Sequence, residues 1–291
     1  MKKILILTTG GTIACETTEK GRTPLRSGVQ LAAGITDCEI TVCDLFACDS
    51  TDITPAHWRK IYDKVRESSD FDGIVILHGT DTLEYTAAML HFTCSDLNIP
   101  VIVTGAMIPM SEPGSDGGDN IRDAVAAACL DGFSGVYAVF CGRIISGGNV
   151  IKRSSVEKDA FRAFCGKDNG RITDGKAEID FMSEIPEIMK IPKTDKKISV
   201  IRLSPFTDVL YVPEDYSGAV IESYGAGGIP LHLSESLSEL CRRMPVVITT
   251  SCSGGADLYE YEVGQRALEC GASDGGKMSA ACAAVKLWLE K

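Results

Sequence analysis

Lys3-Ile4-Leu5-Ile6-Leu7-Thr8-Thr9-Gly10-Gly11-Thr12-Ile13-Ala14 is a short apolar run rich in β-formers that changes abruptly to hydroxyl residues and glycine. The run reads as a buried first strand ending at Thr8. Thr12 then falls just past a strand end, and in an open α/β sheet the carboxyl ends of the strands are where ligands collect. Adjacent glycines let backbone N–H groups approach a bound group closely, so a hydroxyl nucleophile is well placed there. A plain turn is the competing reading of Gly10-Gly11. Nucleotide binding is disfavoured, because neither G-x-G-x-x-G nor G-x-x-x-x-G-K-[ST] can be written through these glycines.

Outward from this stretch, residues 15–28 are polar and irregular, a candidate mobile lid. Residues 39–45 read as a second strand leading to Cys48-Asp49-Ser50-Thr51-Asp52, a cluster of short polar side chains. Thr54-Pro55 starts a helix that runs through Trp58, Ile61, Tyr62 and Val65. Residues 73–77 form a short buried strand entering His78-Gly79-Thr80-Asp81-Thr82, with a helix through Ala88, Leu90 and His91 after it. Thr80 and Asp81 lie at the mouth of that helix, where simple capping is the more frequent role. A strand at 101–104 precedes Gly105-Ala106-Met107 and a loop ending in Ser115-Asp116-Gly117-Gly118; an alanine-rich helix from about 120 to 130 and a strand at 135–140 follow.

This alternation implies right-handed βαβ units and a mainly parallel sheet. Residues 144–152 read as a β-hairpin turning on Gly147-Gly148, with Lys152 on its return arm. A charged, proline-containing connector leads into a second region with strands at 198–202, 219–223 and 246–250 and helices at 234–242 and 279–289. The expectation is an α/β fold: a large N-terminal domain (1–190) with a mainly parallel sheet, a linker (191–197) and a smaller C-terminal α/β domain (198–291).

The 291 residues are enough for two domains of unequal size. A net charge of −11 and a pI near 4.9, with no basic stripe, weigh against nucleic acid as a partner. The apolar run after Met1 is too short for a secretory signal and no stretch approaches ~20 apolar residues, so no membrane association and a cytoplasmic location are expected. Twelve cysteines, never arranged as Cys-x-x-Cys, fit small core residues in a reducing compartment. His57, His78, His91 and His232 form no zinc pattern, so neither a metal nor a cofactor is expected.

The strand-end clusters bring Thr12, Ser50-Thr51 and Thr80-Asp81 into consideration, with Lys152 as a possible basic partner. A threonine hydroxyl needs a neighbouring base or electrostatic aid to lose its proton. Lysine serves as that base when burial or a nearby cation depresses its pKa, whereas a close carboxylate favours the charged form. The sequence leaves that balance open.

Thr9-Gly10-Gly11-Thr12-Ile13-Ala14 together with His78-Gly79-Thr80-Asp81-Thr82 closely resembles the two signature motifs of the bacterial-type L-asparaginase/glutaminase family, and the short leader-free N-terminus resembles its cytoplasmic type I branch. The likeness extends through Asp49-Ser50-Thr51-Asp52, Thr104-Gly105-Ala106, Ser115-Asp116-Gly117, Val150-Ile151-Lys152, Tyr224-Gly225-Ala226-Gly227 and Lys277-Met278-Ser279. The resemblance implies hydrolysis of L-asparagine to L-aspartate and ammonia, with Thr12 as nucleophile and Thr80, Asp81 and Lys152 as the second catalytic group. It implies substrate binding by Gly11, Ser50, Thr51, Thr80, Asp81 and Ala106, and a homodimer or homotetramer. Two positions depart from the family pattern: Arg22-Thr23 stands where relatives carry a lid tyrosine, and Gly227-Gly228-Ile229-Pro230 lacks their asparagine. Competing expectations are a glutaminase or other side-chain amide hydrolase, a non-catalytic amino-acid sensor, and an ammonia-supplying component of a transfer-RNA-dependent amidotransferase. The last is ranked low, because such components carry a domain ahead of the first motif and only eight residues precede Thr9 here.

Overall fold

The structure is a computed structural model that describes residues 1–18, 21–24, 27–35, 37–193 and 196–290; for 17, 18 and 21–24 it describes the backbone only. Lys20 of the expected lid and residues 194–195 of the expected linker therefore lie outside the described residues. The chain divides into two compact units, one of Met1–Ala163 with Lys167–Ile188 and one of Phe164–Gly166 with Met189–Lys291.

The first unit runs β1 (Lys3–Gly10), β2 (Cys15–Thr18), β3 (Gly21–Pro24), α1 (Gly28–Leu31), β4 (Glu39–Cys48), α2 (Pro55–Arg66), β5 (Gly73–Leu77) and α3 (Leu83–Cys94). It continues through β6 (Pro100–Thr104), α4 (Gly117–Ala128), β7 (Gly135–Phe140), β8 (Arg143–Ser146), β9 (Val150–Lys152), β10 (Phe161–Ala163), β11 (Gly170–Thr173) and β12 (Lys176–Ile179). Eight strands form one sheet in the order β12-β11-β8-β7-β6-β5-β1-β4. The five from β7 to β4 are parallel, and β8, β11 and β12 extend the sheet antiparallel. The chain steps from β1 outward to β4 and then returns past β1 to β5. Strand order thus reverses between β1 and β5, the place where open α/β sheets leave a crevice at their carboxyl ends.

Of the parallel strands, β1, β5, β6 and β7 are buried on both faces, as their near-continuous apolar runs require, whereas β4 at the sheet edge is half-buried to exposed. Ile4, Ile6, Val75, Leu77, Ile102, Tyr137 and Val139 pack with Leu31 of α1 and with Ile121, Ala124 and Val125 of α4. On the opposite face α3 closes over Val136: a Cβ on Gly147 would stand 2.8 Å from Ala87 O and 2.9 Å from Val136 Cγ1. The crossovers β5-α3-β6 and β6-α4-β7 step the same way across the sheet yet lie on opposite faces, so they have opposite hands. Right-handed units throughout, as expected, therefore do not describe this sheet. In the loop before α4 the Asp116 carboxylate accepts from Met107 N (3.1 and 3.0 Å) and Ile108 N (2.9 Å).

Two local expectations also change. Within residues 15–28, expected to be irregular, Cys15–Thr18 and Gly21–Pro24 pair antiparallel as β2 and β3. The turn at Gly147-Gly148 is present, but β8 and β9 do not pair with each other. β8 is held between β7 and β11 in the large sheet, so β9 pairs instead with β10, Lys152 opposite Phe161.

The second unit has β13 (Ile198–Arg202), β14 (Gly218–Ser223), α5 (Ser234–Arg243), β15 (Val246–Thr250), α6 (Glu262–Glu269), β16 (Ser273–Asp274) and α7 (Ala280–Leu289). Its four strands are parallel in chain order. Ile221, Val246 and Ile248 face Leu237, Leu240 and Ala267, while Val220 faces Ala283 and Leu287 of α7. Among the described residues no helix is long and apolar enough to cross a membrane, and no group of three or more histidine, cysteine, aspartate or glutamate side chains is placed to hold a metal. All twelve cysteines are free thiols.

Two stability effects follow from this packing. Asn120 is buried, donates to Gly105 O (3.0 Å) and Asp116 Oδ2 (3.0 Å), and accepts from Cys141 N (2.9 Å). Asn120→Ala strands buried backbone groups and should lower unfolding free energy by about 2–4 kcal/mol, read as a lower urea midpoint. His91 is pressed under the Gly148 turn, where a Cβ would stand 2.5 Å from its ring. Burial pushes its pKa down to about 4. The unfolded imidazole takes up its proton near pH 6.5, so this stabilisation is complete above about pH 6.5 and is lost as pH falls toward 4. His91→Gln should therefore lose about 2 kcal/mol less than the wild type between pH 7 and 4.5, measured by chemical denaturation at each pH.

Candidate active site

Three strand ends meet through backbone alone. Gly10 ends β1 and Gly11 follows it, with φ of 96° and 76°, which side-chain-bearing residues rarely adopt. Gly11 N donates to Cys48 O at 3.0 Å, tying β1 to the end of β4. A Cβ on Gly11 would lie 2.3 Å from Gly79 Cα, and one on Gly79 would lie 2.6 Å from Ser50 Oγ. The end of β6 closes in as well, since a Cβ on Gly105 would stand 2.3 Å from His78 O. Thr12 begins a single 3-10 turn, Thr12–Ala14, fastened by Ala14 N to Gly11 O (3.1 Å). Its side chain is half-buried, with no hydrogen-bond partner among the described residues.

Thr80 and Asp81 lie on the turn between β5 and α3. Lys152 Nζ donates to Thr80 Oγ1 at 2.8 Å and to Asp81 Oδ1 at 2.5 Å. The lysine reaches them because its own backbone N–H donates to Glu84 Oε2 at 2.8 Å, which fixes β9 to the first turn of α3. Arg143 in turn holds the loop that brings β10 back. Its guanidinium donates to Asp159 Oδ1 (2.8 Å) and Oδ2 (3.1 Å) and to Asp168 (2.5 Å). The Arg143 bonds, reinforced by Arg162, keep the Asp159 carboxyl below the usual carboxylate range.

The remaining expected residues fall around this group. Ser50 is buried and its Oγ accepts from Asp81 N at 3.3 Å, while its carbonyl accepts from Thr82 Oγ1 at 2.7 Å. Thr51 is exposed, and both its N–H (2.9 Å) and its hydroxyl (2.8 Å) donate to Asp49 Oδ1, so it offers lone pairs, not a donor. Gly11 has its N–H on Cys48 O and its carbonyl on Ala14 N. Ala106 is fully buried, and no donor meets its carbonyl among the described residues. The backbone alone is described for Arg22 and Thr23.

Several residues that shape the site carried no expectation. Glu84, Asp116, Asn120 and Arg143 act on backbone or on other loops. Asp116 and Asn120 were within reach of a reading that looked for side chains four apart at a helix mouth. Glu84 and Arg143 were not, because their partners are far away in sequence.

The family described as "Asparaginase, N-terminal" matches residues 3–185, and "Glutaminase/Asparaginase C-terminal domain" matches 207–289. A curated L-asparaginase of Thermococcus kodakarensis is 40% identical over 98% of this chain and 91% of its own. A component of the glutamyl-tRNA(Gln) amidotransferase of Pyrococcus horikoshii is 30% identical over 98% of this chain and 71% of its own. Among solved structures, the thermostable L-asparaginase from Thermococcus kodakarensis superposes with TM-score 0.88 at 37% identity, covering 98% of this chain and 92% of that one. A probable cytoplasmic L-asparaginase from Campylobacter jejuni gives TM-score 0.83 at 25% identity, covering 99% and 94%. With both halves matched and a 40% identical relative along nearly its whole length, the chain belongs to the asparaginase family of amidohydrolases.

Proposed function

We propose that the chain hydrolyses the side-chain amide of L-asparagine to L-aspartate and ammonia through an acyl-enzyme on Thr12. The observation that carries this reading is the Lys152–Thr80–Asp81 group, set on the turn whose Gly79 backbone touches the residue before Thr12. In acylation the bond from Thr12 Oγ1 to the amide carbon forms, the carbon–nitrogen bond breaks, and the hydroxyl proton leaves with ammonia. Water then displaces Thr12 Oγ1, and the threonine regains a proton. Thr80 relays the Thr12 proton in acylation: with Lys152 donating to its Oγ1, its own hydroxyl proton passes to the departing nitrogen as the proton of Thr12 replaces it. Backbone N–H groups of Thr12 and Thr80 serve the oxyanion.

The substrate's α-ammonium goes to Asp81 and its α-carboxylate to the Ser50 hydroxyl. Thr51 joins that contact only when its hydroxyl leaves Asp49. The Ala106 carbonyl accepts from the scissile amide. A homodimer or homotetramer and a cytoplasmic location are part of the same proposal; the first is checked by light scattering, and the second is supported by the description of the Campylobacter jejuni relative.

Ammonia release from L-asparagine and L-glutamine, measured side by side, tests the reading. Thr12→Ala should lower kcat by roughly 10³-fold or more, because the acyl-enzyme route is lost. Lys152→Met and Thr80→Val should each cost about 10²-fold and combine with little further loss, as residues acting as a unit do. Equal turnover of glutamine would move the assignment to a glutaminase. Aspartate raising Tm with no ammonia released would make the protein a sensor. Glu84→Ala, which frees the backbone of Lys152, should cost about tenfold in kcat, whereas Glu84→Gln keeps an acceptor and most of the activity.

A further inference from the structure

The turn carrying Thr80 and Asp81 is anchored from inside by polar side chains that the reaction itself does not use. Trp58 Nε1 of α2 donates to Thr86 Oγ1 of α3 at 3.0 Å. Thr86 Oγ1 lies 2.9 Å from His78 Nε2, and His78 Nδ1 lies 2.7 Å from Gly79 O. His78 and Thr86 are both 0% exposed. The donor inventory assigns every proton in this chain. An indole N–H only donates and a carbonyl only accepts. Gly79 O therefore takes a proton from Nδ1. Burial keeps the ring neutral, pushing its pKa down to about 4 against the opposing pull of the Gly79 bond. Nε2 is then a lone pair, and Thr86 gives it its single hydroxyl proton while accepting that of Trp58.

We propose that His78, held as the Nδ1–H tautomer by Thr86 and Trp58, is a positioning residue that turns the Thr80 backbone N–H toward the reacting carbonyl. In a trans peptide the carbonyl oxygen and the following N–H point to opposite sides. Drawing Gly79 O onto the buried imidazole therefore turns the Thr80 N–H away from it. That N–H meets no acceptor among the described residues, although Thr80 is only 5% exposed. A buried donor left open in this way is costly unless something arrives to accept from it. Glycine resists rotation of the 79–80 plane less than any other residue, so the imidazole is what fixes its direction. The inference rests on the acyl-enzyme reading above, since the donor has an oxyanion to meet only if one forms.

Asparagine at position 78 places an amide nitrogen where Nδ1 was, and glutamine places one where Nε2 was, so the two variants separate direction from mere polarity. His78→Gln and Thr86→Val should lose about 30-fold or more in kcat with KM within about threefold, because an oxyanion donor acts in the transition state. His78→Asn and Thr86→Ser should stay within about fivefold of the wild type. Nitrogen-15 NMR of the resting wild-type protein should show the Nδ1–H tautomer of His78. An Nε2–H tautomer, equal losses in His78→Asn and His78→Gln, or a loss confined to KM would each overturn the proposal. The tautomer needs no turnover and the Thr86 pair spares the ring, so a histidine variant that does not fold leaves both arms standing. Turnover retained in Thr12→Ala would remove the acyl-enzyme reading itself. Turnover lost there, together with the wrong tautomer, removes only the positioning role.

Discussion

The contact between two glycine backbones governs the first unit. Gly11 follows β1 and Gly79 follows β5, and no side chain fits between them, since a Cβ on either would overlap its neighbour. These are the two strands between which the sheet order reverses, so their carboxyl ends would otherwise diverge around an open crevice. Closing that gap with glycine delivers the residue after each, Thr12 and Thr80, to one place without a side chain intervening. Ser50 joins because Gly79 has no Cβ, and the end of β6 joins because Gly105 has none. Four loops, otherwise separate, share one floor.

What the sequence made legible was what short-range chemistry dictates. The buried strands are continuous apolar runs, and each ends where hydroxyl residues and glycine begin. Ser279 was readable as the start of the last helix, and its Oγ accepts from Cys282 N at 3.2 Å. Thr12, Thr80, Asp81 and Lys152 were named from strand ends and one β-arm, and the structure brings Thr80, Asp81 and Lys152 into direct contact. The group that takes up the Thr12 proton was beyond that reading, because the polar stretch after Thr12 has no periodicity to fix where its side chains point.

The rest was illegible for a physical reason: it depends on pairings between segments that carry no mutual signal. Gly147-Gly148 announces a turn, but not that β8 is already held on both edges and must release β9 to another partner. Alternation of strand and helix predicts right-handed crossovers throughout, and does not express that two successive units lie on opposite faces. In the β6-α4-β7 unit the side chains of Asp116 and Asn120 gather Met107, Ile108, Gly105 and Cys141 backbone around the loop. Lys152 reaches Thr80 only because Glu84 takes its backbone N–H, 68 positions away in the chain. The first is a strand pairing and the other two are side chains bonded to backbone elsewhere in the chain, none of which composition and spacing express.

The polar groups of the site separate by depth. The Lys152 side chain is 17% exposed and that of Asp81 56%, so this ion pair keeps contact with water and escapes most of the desolvation cost of a buried ion pair. The groups with no exposure, His78 and Thr86, are neutral and mutually satisfied. A histidine at position 78 suits that layer because one rigid ring offers a donor to Gly79 O and an acceptor to Thr86 at the same time. A lysine or arginine there would bury a charge, and a glutamine would offer both functions from the same flexible end. Burial that holds the ring neutral also holds its donor on one nitrogen. The dry layer is neutral and fixed in direction, and the charged layer beside it stays in contact with water.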